Sequence, residues 1–129
     1  MTQEQKELLL KDLCSRLPYG VKLSYRCNHI HILKAIHKSG LIVIDDTITN
    51  ITTTTDVENI MPYLFPLSSM NEVQKNIYSI YINELKQSNG IYFEKALNSL
   101  QFWLYANHFD VNNLIPMGLA INAVGLNIY

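Results

Sequence analysis

The chain has no surplus of charge of either sign: ten lysines and arginines stand against eleven aspartates and glutamates, a formal charge of −1. A protein that grips a phosphate backbone mainly by charge needs a cationic excess, so nucleic acid is not the expected partner of the whole chain. Cysteine is nearly missing. Cys14 and Cys27 stand alone with no CxxC spacing, which excludes a disulfide framework, and Cys14 reads as a small apolar residue on the core side of a helix. There is no G-x-G-x-x-G, no Walker loop and no G-x-S-x-G, so neither a phosphate cradle nor a nucleophile elbow is written in the chain, and no cofactor is implied. Long apolar runs are absent as well. Leu8-Leu9-Leu10 is interrupted at once by Lys11 and Asp12, so neither a signal peptide nor a membrane span is expected, and with unpaired cysteines this points to the cytoplasm.

What is present is a good deal of apolar surface. At 129 residues and 48% hydrophobic, the chain can bury a core as a single domain over residues 1–129. Thr2-Gln3-Glu4-Gln5 reads as a capping box, and Leu9, Leu10, Leu13, Cys14 and Leu17 then recur at helical spacing, predicting a helix over residues 3–16. Pro18 and Gly20 end it. From Val21 to Tyr25 the period becomes two, as in a half-buried strand, and Asn28 is read as a turn. Ile30 to Ile36 and Leu41 to Ile44 form a hairpin through Lys38-Ser39-Gly40, and the threonines at 52–55 suit an edge strand or a loop.

Past the prolines at 62 and 66, Ser69-Met70-Asn71-Glu72 reads as a second capping box. The helix after it runs through Lys86, with Val73, Ile77, Ile80, Tyr81 and Leu85 as its main apolar stripe. Another helix is predicted from Tyr92 to Asn107, followed by an apolar tail packed on the core. Strands grouped apart from helices predict the α+β class: an N-terminal helix, a small antiparallel sheet of about three to five strands, then two helices and the tail.

Four patterns could carry function. His29 and His31, two apart, point to one strand face and, with His37 and the Asp45-Asp46 pair, offer the best metal-like spacing. Sequence fixes no third ligand for them. Lys22, Arg26, Lys34 and Lys38 form a local basic cluster that could meet nucleic acid weakly. His108 and Asp110 sit where a general base and its orienting carboxylate could be argued, although a helix-terminal histidine followed by a turn aspartate accounts for both. Finally, Tyr78 and Ile82 on the second helix, with Phe102 and Tyr105 on the third, lie outside the main stripes. A helix apolar on more than one face must bury more than one face, against the tail or another chain.

Three blocks, Lys6 to Lys22, Met61 to Ser69 and His108 to Ala120, together resemble an uncharacterised family of small proteins from gut Bacteroidetes, their phages and mobile elements. The resemblance covers about a third of the chain and implies a phage or mobile-element accessory role rather than an activity. Where relatives carry an arginine between the Phe-Asp and Leu-Ile pairs, this chain has Val111-Asn112-Asn113, so the block reads as a turn that fastens the tail. The expectation from residues and resemblance together is a small non-enzymatic protein-interaction protein, which binds a protein partner or itself. Metal binding at His29 and His31 is the alternative, with weak nucleic-acid binding over residues 22–38 behind it.

Overall fold

A computed structural model describes residues 1–26 and 29–129; the turn expected at Asn28, and Cys27, lie outside them. Helix α1 spans Gln3–Arg16, and its start is set by the capping box, with the Thr2 hydroxyl accepting from the Gln5 amide at 3.1 Å and the Gln5 side chain accepting from the Thr2 amide at 2.9 Å. Strands β1 (Lys22–Ser24), β2 (Ile30–Ile36), β3 (Ile42–Asp46), β4 (Thr52–Thr55), β5 (Met61–Leu64) and β6 (Ile121–Asn122) follow, with helices α2 (Glu72–Gln87) and α3 (Ile91–Ala106) between the last two strands. The class is α+β, as expected.

Among the described residues the sheet has six strands, in the order β4-β3-β2-β1-β5-β6, not three to five, and it is mixed, because β6 joins β5 in parallel through Tyr63↔Ile121 and Leu64↔Asn122. A parallel neighbour needs a crossover connection, and the α2–α3 hairpin supplies it. The threonines at 52–55 form the edge strand β4, paired to β3 from Ile42↔Thr55 to Asp45↔Thr52. The β2–β3 turn uses Gly40 at φ 88, where a side chain would be strained.

One sheet face carries Leu23, Leu33, Ile42, Ile44 and Leu64, packed with Leu9 and Leu13 of α1 and with Leu114, Leu119 and Ala120 of the tail. A second cluster joins Met70, Leu100, Leu104 and Phe109, and Tyr78, Tyr81, Ile82 and Leu85 of α2 lean on it half-buried. Two local readings are corrected. Cys14 is exposed rather than core-facing, because the buried side of α1 is drawn by Leu9, Asp12, Leu13 and Arg16. The second capping box is formed by Asn71 and Gln74, each side chain accepting from the other's amide, while the Ser69 hydroxyl donates to the Pro66 carbonyl.

Candidate functional site

The histidine pair meets over one carboxylate. Register places His31 opposite Asp46; His29 Nδ1 lies 2.7 Å from Asp46 Oδ2 and His31 Nε2 3.8 Å from the same oxygen. His31 is 3% exposed, lies edge-on to the Tyr25 ring at 5.4 Å, and its Nδ1 reaches the His29 carbonyl at 3.2 Å. Asp46 also caps the β3–β4 turn, accepting from the Ile48 and Thr49 amides at 2.8 and 3.1 Å. Burial alone would raise this carboxyl, but those amides and the His29 ring outweigh it and hold the group at about 2. His37 lies at the far end of β2, six residues or about 20 Å from His31, so these three histidines do not converge. Among the described residues, no group of three histidine, cysteine, aspartate or glutamate side chains is arranged to hold a metal ion.

The basic cluster is dispersed in the same way. Lys22 Nζ donates to the Ile128 carbonyl at 2.6 Å and lies over the Tyr129 ring, and Lys34 sits 3.7 Å from Asp45. Arg26 lies 5.7 Å from the Tyr25 ring, and Lys38 stands at the opposite end of β2 in an exposed turn. No single groove gathers the four charges.

His108 closes α3 in the left-handed region, φ 61. Its ring stacks flat on Tyr129, with centroids 3.6 Å apart, beside a cleft of about 550 Å³ that Phe65, Gln74 and Asn107 also line. Burial, then the charges of Arg16 and Lys22, push the imidazole down to about 4, so it is neutral at pH 7. Its Nδ1 is buried with no hydrogen-bond partner among the described residues. Asp110 does not orient it, since that carboxylate accepts from the amides of Leu114 and Ile115 at 2.8 and 2.9 Å and fastens the tail. Tyr129 is pushed up to about 12, chiefly by burial.

A pH profile follows from these groups. Between its ordinary 6.5 and about 4, the unfolded chain binds a proton at His108 that the fold refuses, so stability falls as pH falls through that window. Partial exposure of the ring limits the loss to about 1–2 kcal/mol. A second loss sets in below pH 3.8, as Asp46 protonates in the unfolded chain first. Urea unfolding at stepped pH should show both losses, and His108→Gln should remove only the first.

The residues proposed for partner binding separate. Tyr78 and Ile82 are half-buried against the second cluster, Tyr105 carries the Arg16 guanidinium 4.9 Å over its ring, and Phe102 remains 65% exposed. Helix α2 is rotated from the expected stripe: Tyr81 and Leu85 of that stripe face inward, Tyr81 reaching Trp103 at 5.9 Å, but they are joined by Tyr78 and Ile82, which leaves Val73 and Ile80 at 67 and 59% exposure. Comparison with known proteins adds no constraint. No family model, curated protein or solved structure matches the chain.

The outstanding surface is therefore the α2–α3 hairpin. None of the sixteen residues of α2 is buried, although Val73, Ile77, Tyr78, Ile80, Tyr81, Ile82 and Leu85 all belong to it. Ile77 and Ile80 were legible as apolar from the start, but which side of α2 meets α3 depends on Trp103 and Phe109, which helical spacing cannot reveal. Among the described residues, no helix is long and apolar enough to cross a membrane.

Proposed function

We propose that the protein is a small non-enzymatic interaction protein that binds another protein chain through the exposed face of α2 and α3. The observation that carries this reading is the exposed apolar side of α2, with Val73 and Ile80 at 67 and 59% exposure, flanked on α3 by Tyr92 and Phe102 at 70 and 65%. A helix whose inner side is half-buried on the core and which still exposes large apolar side chains on another side has surface to spare for a partner. The three-block resemblance supports a phage or mobile-element accessory role, and the unpaired Cys14 thiol fits a reducing cytoplasm. Both rival readings have less behind them: His29 and His31 converge on a structural carboxylate, Lys22 is engaged by Ile128 and Tyr129 of the tail, and Lys34 lies beside Asp45.

Cross-linking mass spectrometry on cells producing the chain tests the reading. Cross-links to protein should map to α2 and α3, and an Ile80→Glu, Phe102→Glu variant should lose them. Both positions are exposed, so that variant should keep its stability to within about 0.5 kcal/mol per site. Cross-links that bypass this face, or survive the substitutions, would sink the proposal.

A further inference from the structure

Resting on that reading, we infer that the chain seated on the α2–α3 face is a second copy of this one, the two hairpins packing antiparallel into a four-helix bundle across a two-fold axis. Val73, Ile77, Ile80 and Glu84 follow a four-three-four spacing and draw a single ridge along α2. Beside it runs a groove on α3. One cleft of about 610 Å³ lies between Glu84 and Tyr92, another of about 420 Å³ between Tyr81 and Phe102, and Ser99 lines both. The lining mixes the small side chains Ala96, Ser99 and Ala106 with the rings of Tyr81, Tyr92, Phe102 and Trp103. The Ser99 hydroxyl donates to the Lys95 carbonyl at 3.0 Å, so it is not a donor that needs water.

A ridge that carries Val73 and Ile80 beside clefts on the same face is a surface that can fit its own copy, because a two-fold sets each ridge against the other's clefts. Size agrees. Val73, Ile80, Tyr92 and Phe102 alone expose about 500 Å² of side chain, more than half of the ~800 Å² that each partner gives to a stable interface. Charge agrees too, since Glu84 and Lys95, one of each sign, are the only charged residues lining the two clefts. An identical face is not repelled, and a partner selected by charge would call for a bias of one sign. Two helices of sixteen residues each are about 24 Å long. A two-fold at their midpoints overlaps that full length, and it sets Ile80 against Ser99 of the second copy.

Native mass spectrometry of the full chain at micromolar concentration should show twice the 14.8 kDa chain mass. Ile80→Glu should run at the single-chain mass with an unchanged circular dichroism spectrum. Mixing Ile80→Glu with Ser99→Lys should restore a mixed dimer, at least about tenfold more populated than either variant's own dimer, because the new charges then meet across the interface. A wild-type chain that stays single overturns the second copy as occupant and leaves the interaction reading to its own cross-linking test. A dimer that survives Ile80→Glu overturns it as well, by putting the contact elsewhere, and a mixture that stays monomeric overturns the two-fold arrangement.

Discussion

Asp12→Ala should lower the stability of the fold by about 3–5 kcal/mol, a large share of the roughly 5–15 kcal/mol that holds a domain together. Asp12 and Arg16 are both fully buried. Arg16 Nε donates to Asp12 Oδ2 at 2.6 Å, and its Nη2 donates to Asp12 Oδ1 at 3.1 Å and to the Phe109 carbonyl at 2.7 Å. Asn112 Nδ2 closes the network on Asp12 Oδ1 at 2.8 Å. Alanine at position 12 would strand a guanidinium in the core with one carbonyl and the Tyr105 ring for company. Replacing both partners, as in Asp12→Leu with Arg16→Met, removes the charges together and should cost much less than the sum of the single changes. Arg16→Lys should not substitute for arginine, because an ammonium cannot make the forked contact. Urea unfolding of Asp12→Leu, Arg16→Met and the double variant measures the coupling; a cost for Asp12→Ala below about 1 kcal/mol would show that the pair is solvated.

That network explains where the sequence could be read and where it could not. The bounds of α1 were legible because Thr2 and Gln5 satisfy the first orphan amides locally. Asp12 and Arg16 carry an i,i+4 spacing that ordinarily marks a solvated helix face. They are buried only because Phe109 and Asn112, 93 and 100 residues further on, arrive over them. The β2–β3 hairpin was legible from alternation and Gly40, whereas β6 has two residues and no period, and its place beside β5 depends on the path of α2 and α3. His29 and His31 were recognisable as a pair, but their shared partner Asp46 follows from cross-strand register, which residue spacing within one strand does not set. On α2 the apolar residues were all visible. Which of them would be covered was decided by packing against Trp103 and Phe109, and so the exposed ridge at Val73 and Ile80 emerges only in the fold.

Phe109→Ala should cost a further large amount, about 3–5 kcal/mol, and the loss should be felt unevenly. The Phe109 side chain is 1% exposed, with Trp103 at 5.7 Å and Phe65 at 6.5 Å between ring centroids, inside the cluster of Met70, Leu100 and Leu104. Its backbone segment is also the seam between hairpin and sheet: the Phe65 amide donates to the His108 carbonyl at 2.9 Å and the Asp110 amide to the Phe65 carbonyl at 2.8 Å. The sheet keeps a separate core of Leu23, Leu33, Ile42 and Ile44 against α1. Helix α2, by contrast, has no buried residue of its own and holds its place by leaning on this cluster. A cavity at Phe109 therefore removes most of what orders α2 while leaving β1–β3 packed. In hydrogen exchange, amides of α2 and α3 should lose protection well before those of β2 and β3, and Phe109→Leu, which keeps most of the volume, should show the same order with a smaller effect. Equal loss across sheet and hairpin would mean that the two clusters unfold as one unit. If the uneven pattern is seen, the variant should also lose binding through the α2–α3 face with Ile80 and Phe102 intact, because the ridge and groove exist only while both helices are held at one angle by the rings beneath them.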